Sequence, residues 1–408
     1  MKFLAVTTAL SVIATSTLGR SIADWQVCHS RHDSCSSPSW QCCVAVADCA
    51  TKKHTCRPAS ECNHCKKSPP RPSTQGRTFA GANSFFLHTL NAPDRLEVLD
   101  ELKASGFQVV RIFLSSIGGG AKGANSIGVN DLEQDAVGRY DDSILSLVDQ
   151  LMLDCVQRGL KLVVALHDRY SLGCWASDAY VVKYNLPKAA ACGEHANNPD
   201  GFYQRADAQA DFDARLQHIL THRNPKLGNK MWGELSEAVL AFEPENESQG
   251  FMDRVNPQWV CDRATTMRRF IPDRKILVMT GGSVNYASAN AEATMHCPAV
   301  DVISVHSYEG GNANALQTTV DLAKRYKKRV ILGEFGATGT AKSSGLQGYI
   351  DAAKAHGMAW MVWEVLKPGN PSDLETWTNE PEAWATLKRA ATDAKGSKNG
   401  TWAWPELA

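Results

Sequence analysis

The chain has 408 residues, with 43 Lys+Arg against 43 Asp+Glu and a formal net charge of zero. That length carries one large domain plus a small module. The balance of charge gives neither a basic stripe nor an acidic tail, which excludes nucleic acid and anionic membranes as expected partners.

The N-terminus reads as an address. Lys2 precedes an apolar run from Phe3 to Ile13, and Ser21-Ile22-Ala23 fits a small-x-small cleavage site, so residues 1–23 are read as a signal peptide. The run is too short to span a membrane. Thirteen cysteines agree with export to an oxidising compartment, and eight of them fall between Cys28 and Cys65. A secreted, extracellular protein is expected.

Residues 24–65 have almost no aliphatic core and read as a cysteine-rich module held by disulfides. Cys62 and Cys65 lie near His54 and His64, which is zinc-like, but six further cysteines and the signal peptide favour disulfides, so no metal is expected. Trp25 and Trp40 are either a sugar-stacking surface or the module's own core. Residues 66–77, Lys-Lys-Ser-Pro-Pro-Arg-Pro-Ser-Thr-Gln-Gly-Arg, read as a semi-rigid linker.

From residue 78 to 408, short apolar runs alternate with amphipathic helical stretches. The strands are expected at Phe79–Asn83, Phe107–Phe113, Leu160–Leu166, Ala238–Phe242, Lys275–Thr280, Val300–Val305, Arg329–Leu332 and Met358–Trp363. They are continuous rather than alternating, as buried parallel strands are. Helices are expected at Arg95–Ala104, Asp142–Arg158, Gln209–His222, Pro257–Phe270, Leu316–Lys327 and Ser344–His356. Gly106, Gly159 and Gly357 each close a helix just before a strand. The pattern predicts an α/β fold of the (β/α)8 TIM-barrel type. A nucleotide-binding open sheet is disfavoured, because no Gly-x-Gly-x-x-Gly follows the first strand.

Functional groups in such a barrel collect at the C-terminal strand ends. Those positions hold Asn83, Arg111, His167 with Asp168, Asn246-Glu247, His306 with Tyr308, Glu334 and Trp363. Strands four and seven face each other across the barrel, so Glu247 and Glu334 can meet over its mouth. Cleaving a glycosidic bond needs such a pair, one carboxylic acid and one carboxylate, and a separation of about 5–5.5 Å belongs to the retaining reaction.

Ala241-Phe242-Glu243-Pro244-Glu245-Asn246-Glu247, Val305-His306-Ser307-Tyr308 and Leu332-Gly333-Glu334-Phe335-Gly336 resemble glycoside hydrolase family 5. The resemblance extends to Arg111 on strand two, His167 after strand three and Trp363 at the end of strand eight. It covers roughly residues 78–395 and none of the cysteine-rich module. It implies Glu247 as acid/base, with a pKa lifted by its neighbour's charge, and Glu334 as nucleophile, kept ionised by Arg111 and Tyr308. It further implies substrate contacts from Asn246 to the sugar 2-hydroxyl, from His167 and His306 to hydroxyls or carboxylates, and from Trp363 beneath the ring. Ser248 stands where the family usually has proline. Glu245 is the rival acid on the same loop, and Asp168-Arg169 reads as an ion pair.

The segment Phe79–Leu87 and the pair Phe242-Glu243 are similar to family 5 endo-β-1,4-mannanases, which places β-mannan first and a β-glucan second. Trp175, Trp232, Trp259, Trp360 and Trp377 are read as platforms for a long glycan. A non-catalytic carbohydrate-binding barrel is the alternative of another class, and it predicts loss of a glutamate. The expected partner is a polysaccharide, the expected state a monomer, and no cofactor is called for. Cys174 with Cys192 and Cys261 with Cys297 are expected disulfides, and Cys155 a buried free thiol.

Overall fold

A computed structural model describes residues 76–174, 176–188, 199–250 and 255–407, and the backbone of 40–43 and 55–58. The chain divides into two compact units, Met1–Thr74 and Gln75–Ala408. In the first, Trp40–Cys43 and Thr55–Pro58 pair antiparallel, with Cys42 opposite Cys56. The expected signal peptide, the side chains of the cysteine-rich module and the linker up to residue 75 lie outside the described residues.

The second unit is a (β/α)8 barrel. Its strands are β1 (Ala80–Asn83), β2 (Val109–Phe113), β3 (Lys161–Ala165), β4 (Val239–Glu243), β5 (Leu277–Val278), β6 (Val302–His306), β7 (Arg329–Glu334) and β8 (Ala359–Val362). All pair in parallel, in the order β6-β7-β8-β1-β2-β3-β4-β5. A bridge from Met279 to Val302 joins β5 to β6 and closes the ring. The helices that follow the strands in turn are α1 (Ala92–Ala104), α2 (Ser143–Arg158), α3 (Ala206–Thr221), α4 (Trp259–Phe270), α5 (Glu292–His296), α6 (Ala313–Tyr326), α7 (Lys342–Ala355) and α8 (Pro381–Gly396). Each expected strand is present. Sequence reading missed α8 and the single-turn α5.

The strands read as continuous apolar runs because both faces are buried. Val109, Val163, Leu277, Val302 and Ile331 fill the barrel interior. Their neighbours Val110, Leu162, Val164, Val278, Ile303 and Val330 pack outward under the helices. Two strands break this parity. Leu162 and Val163 on β3 sit opposite Val239 and Ala241, so Leu240 is an extra residue on β4. Val305 and His306 on β6 sit opposite Leu332 and Glu334, so Gly333 is an extra residue on β7. A bulge reverses the inward-outward phase downstream of it. Glu243 and Glu334 therefore both turn into the barrel. Gly333 suits its bulge because a Cβ there would lie 2.0 Å from Ser304 Oγ.

The tryptophan reading is corrected. Trp232, Trp259, Trp360 and Trp377 belong to the buried core, and Trp175 lies outside the described residues. A barrel this size needs large apolar volumes between strands and helices, and indole rings supply them. Cys261 and Cys297 form a disulfide across 36 residues. Cys174 is disulfide-bonded, Cys192 lies outside the described residues, and Cys155 is a buried free thiol.

The Cys261–Cys297 link ties α4 to the segment after α5. Replacing both cysteines by serine is expected to lower the unfolding free energy by about 3–4 kcal/mol. Urea denaturation checks this, and an unchanged midpoint would show that the link contributes nothing.

Candidate active site

The C-terminal strand ends enclose a cleft of about 610 Å³ whose lining includes Asp168, Asn246, Glu247, Tyr308, Glu334 and Trp363. Beneath it lies Arg111, fully buried. The guanidinium donates from Nε to Glu243 Oε2 at 2.8 Å, from Nη1 to Asn83 Oδ1 at 3.0 Å and from Nη2 to Asn246 Oδ1 at 2.9 Å. Nη1 also forms an ion pair with Glu334 Oε1. Burial works against the guanidinium's charge, but Glu243 and Glu334 more than offset it and raise its pKa. Asn83 is fixed in turn by donating to the carbonyls of Gly333 and Val362.

Glu247 and Glu334 are brought together. With His306 they offer ligand atoms that all lie within 4.8 Å of one another. Glu247 Oε1 accepts from His306 Nδ1 at 3.0 Å and Oε2 from Tyr170 Oη at 2.7 Å. Glu334 Oε2 accepts from Tyr308 Oη at 3.0 Å. His306 Nδ1 also lies 3.4 Å from Glu334 Oε1. This Glu-His-Glu group has the spacing to hold a cation, and Arg111 already supplies positive charge at Glu334. The ring of His306 fits closely over the turn after β5, where Gly282 has φ 80° and a Cβ would lie 2.0 Å from Nε2.

The electrostatic ordering of the pair differs from the expectation. Burial alone raises Glu247, but the hydrogen bond from His306, the His306 charge and the Tyr170 hydroxyl outweigh it and hold the carboxyl low. Glu334 is raised by its burial and by the Glu247 charge, in spite of His306 and Arg111. Like-charged carboxyls this close titrate as a pair. Glu247 also has φ 47°, a left-handed conformation. A residue preceding proline is driven to extended conformations, so Ser248 in place of proline leaves this geometry open.

His167 is corrected as a sugar contact. Nδ1 bonds Glu245 Oε1 and Nε2 bonds Asp178 Oδ2, each at 2.8 Å, and the residue does not line the cleft. Burial lowers its pKa, but the bonds to Asp178 and Glu245 raise it from 6.5 to about 10, so it is an imidazolium between two carboxylates. The rival acid Glu245 is thereby spent, and Tyr203 donates to its other oxygen at 2.9 Å. Asp168 faces the cleft instead. β3 ends at Ala165 and the chain bends at Leu166, so strand parity does not carry through to His167. Asp168 Oδ1 accepts from Asn246 Nδ2 at 3.0 Å rather than pairing with Arg169. Burial lifts its pKa to about 6 against that bond.

Trp363 lies on the cleft wall, stacked on Phe85 at 5.4 Å and Phe113 at 5.6 Å. Tyr308 is 42% exposed at the rim. Sequence reading missed Tyr170, which reaches Glu247 from the single-turn helix Arg169–Ser171. It also missed Lys122 at the rim, whose Nζ donates to Glu364 Oε1 at 2.6 Å. Neither position carried a signal, since both lie on loops whose path no periodicity reports. Glu243 had one, as an acidic residue ending a strand beside the motif.

Carboxylates from β4 and β7 that converge over the mouth of a (β/α)8 barrel define the class as a glycoside hydrolase. The chain belongs to glycosyl hydrolase family 5, since the family described as Cellulase (glycosyl hydrolase family 5) matches residues 73–367. No curated protein matches it. Three similar solved structures show the shared fold. The endo-1,4-beta-mannanase of Rhizomucor miehei is 17% identical with a TM-score of 0.61, over 79% of this chain and 96% of that one. A family 5 mannosidase from the same organism is 14% identical with a TM-score of 0.59, over 79% and 97%. The hyperthermostable endo-1,4-beta-D-mannanase of Thermotoga petrophila is 17% identical with a TM-score of 0.57, over 77% and 99%.

The His167 clamp has a pH signature. Its pKa is about 10 in the fold and near its ordinary 6.5 when unfolded. The stabilisation is therefore complete below about pH 6.5 and is lost as pH rises toward 10. Melting curves of wild type and His167→Gln are expected to differ most at pH 6 and to converge by pH 10. A gap independent of pH would contradict the buried imidazolium.

Proposed function

We propose that the chain is a secreted endo-acting hydrolase of β-1,4-mannan that retains anomeric configuration, with Glu247 as acid/base and Glu334 as nucleophile. The carrying observation is the spacing of the pair, whose ligand atoms lie within 4.8 Å. Retaining enzymes hold their carboxyls about 5–5.5 Å apart, whereas inverting ones need about 6.5–9.5 Å to admit a water. In the first step Glu334 Oε attacks the anomeric carbon while Glu247 gives its proton to the leaving oxygen. In the second, Glu247 takes a proton from water, which displaces Glu334.

The chain's own groups support each role. Arg111 and Tyr308 address both oxygens of Glu334, which fixes its direction of attack. The two carboxyls titrate as a pair, Glu247 held low by His306 and Tyr170 and Glu334 raised by burial and the Glu247 charge. His306 Nδ1, 3.0 Å from one and 3.4 Å from the other, bridges them. Asn246 and Trp363 both line the cleft, which supports a contact from Asn246 to the sugar 2-hydroxyl and an apolar face from Trp363 to the ring.

Mannan is favoured by the opening Phe79–Leu87 and Phe242-Glu243, and by similar structures that are themselves named mannanases. The family's description as Cellulase keeps β-glucan as the second substrate. Export is supported by the sequence of residues 1–23 and by the disulfides.

Reducing-sugar release from mannan, carboxymethyl-cellulose and β-1,3-glucan tests the reading. Release is expected from mannan above the others. Glu334→Ala and Glu247→Ala are each expected to lower kcat by at least about 10³-fold. Undiminished activity in Glu334→Ala sinks the proposed mechanism, and release from a glucan alone sinks the substrate.

A further inference from the structure

One carboxylate in the cleft has no role in the two-glutamate reaction. Asp168 is 2% exposed and lines the cavity. Its Oδ1 accepts from Asn246 Nδ2 at 3.0 Å and from the Tyr170 backbone N–H at 3.4 Å. No described residue bonds its Oδ2.

Asn246 is held from both ends of its amide. Its Oδ1 accepts from Arg111 Nη2 at 2.9 Å, and its Nδ2 donates to Asp168. A guanidinium only donates and an ionised carboxylate only accepts, so the amide has one orientation. Nδ2 carries two hydrogens, and one remains unspent. Asn246 and Asp168 thus present side by side one free donor and one free acceptor. A hydroxyl is the group that accepts one hydrogen bond and donates another. Asn246 also directly precedes Glu247, and both it and Asp168 line the same cleft as Glu247 and Glu334.

We propose that Asp168 is a substrate-contacting residue that grips, together with Asn246, the 2-hydroxyl of the sugar at the reacting position. Asn246 donates to the hydroxyl oxygen, and Asp168 Oδ2 accepts the hydroxyl hydrogen. This contact rests on the assignment of Glu247 and Glu334 above. As positive charge develops on the ring, the neighbouring 2-hydroxyl becomes more acidic, and its bond to a carboxylate strengthens. The contact therefore acts on kcat more than on KM.

Asp168→Asn isolates the effect. Asparagine can still accept from Asn246 through its Oδ1, while its Nδ2 replaces the acceptor with a donor. The substrates are an aryl β-mannobioside and its analogue lacking the 2-hydroxyl on the reacting ring. On the parent substrate the variant is expected to lose about 30-fold in kcat with KM within about threefold. On the 2-deoxy analogue wild type and variant are expected to agree within about threefold, because the contact is absent from both. A full loss on the analogue as well, or no loss on the parent, overturns the proposal. If Asp168→Asn does not fold, Asp168→Ser is measured against the same two substrates with the same criteria. Glu334→Ala is run alongside. Activity in that variant defeats the assignment of the pair, whereas an inactive Glu334→Ala with equal losses on both substrates defeats the 2-hydroxyl contact alone.

Discussion

A buried guanidinium organises this molecule. Arg111 enters from β2 and meets Asn83 from β1, Glu243 from β4, Glu334 from β7 and Asn246 beyond β4. Three of those side chains end strands, so a single charge fixes how strands on different sides of the barrel finish. Such a charge costs several kcal/mol to bury, and only close, well-directed partners recover that cost. Glu243 is therefore not a spare acid beside the motif. It neutralises Arg111 from below and leaves the charge able to address Glu334 from above. Removing Arg111 would leave Glu243 buried without a counter-charge, a loss of about 3–5 kcal/mol.

The geometry above Arg111 depends on two backbone irregularities. The extra residues Leu240 on β4 and Gly333 on β7 reverse strand parity on the two strands that carry or lead to the paired glutamates. Without the second, Glu334 would point toward the helices and the cleft would hold one carboxylate. Bulges often lie next to active sites for this reason. The left-handed Glu247 and the Gly281-Gly282 turn do the same work on the loops, bringing Glu247 and His306 within hydrogen-bond reach.

The sequence shows where strands lie better than it shows which way their residues point. Apolar runs between helical stretches revealed all eight strands, because a parallel barrel buries both strand faces. For the same reason no alternation was visible from which to read a phase. Glu247, Glu334, Arg111, Asn246, His306, Tyr308 and Trp363 were found through motif residues at strand ends, and the fold gathers them at the cleft. His167 failed because its strand ends at Ala165 and the chain bends at Leu166, so that its neighbour Asp168 faces the cavity. Tyr170 and Lys122 were illegible, since loop paths depend on tertiary contacts that local pattern does not encode. The tryptophans were misread because ring size suits a core as well as a glycan platform.

The central claim is that Glu334 forms the bond to the sugar while Glu247 handles the proton. Incubation with 2-deoxy-2-fluoro-β-mannosyl fluoride, followed by peptide mass mapping, tests it most directly. The fluorine slows both steps and the good leaving group restores the first, so a covalent intermediate accumulates. The account predicts a single fluoromannosyl adduct on the peptide containing Glu334. An adduct on Glu247, or full turnover of mannan by the wild type with no adduct on any peptide, would contradict it.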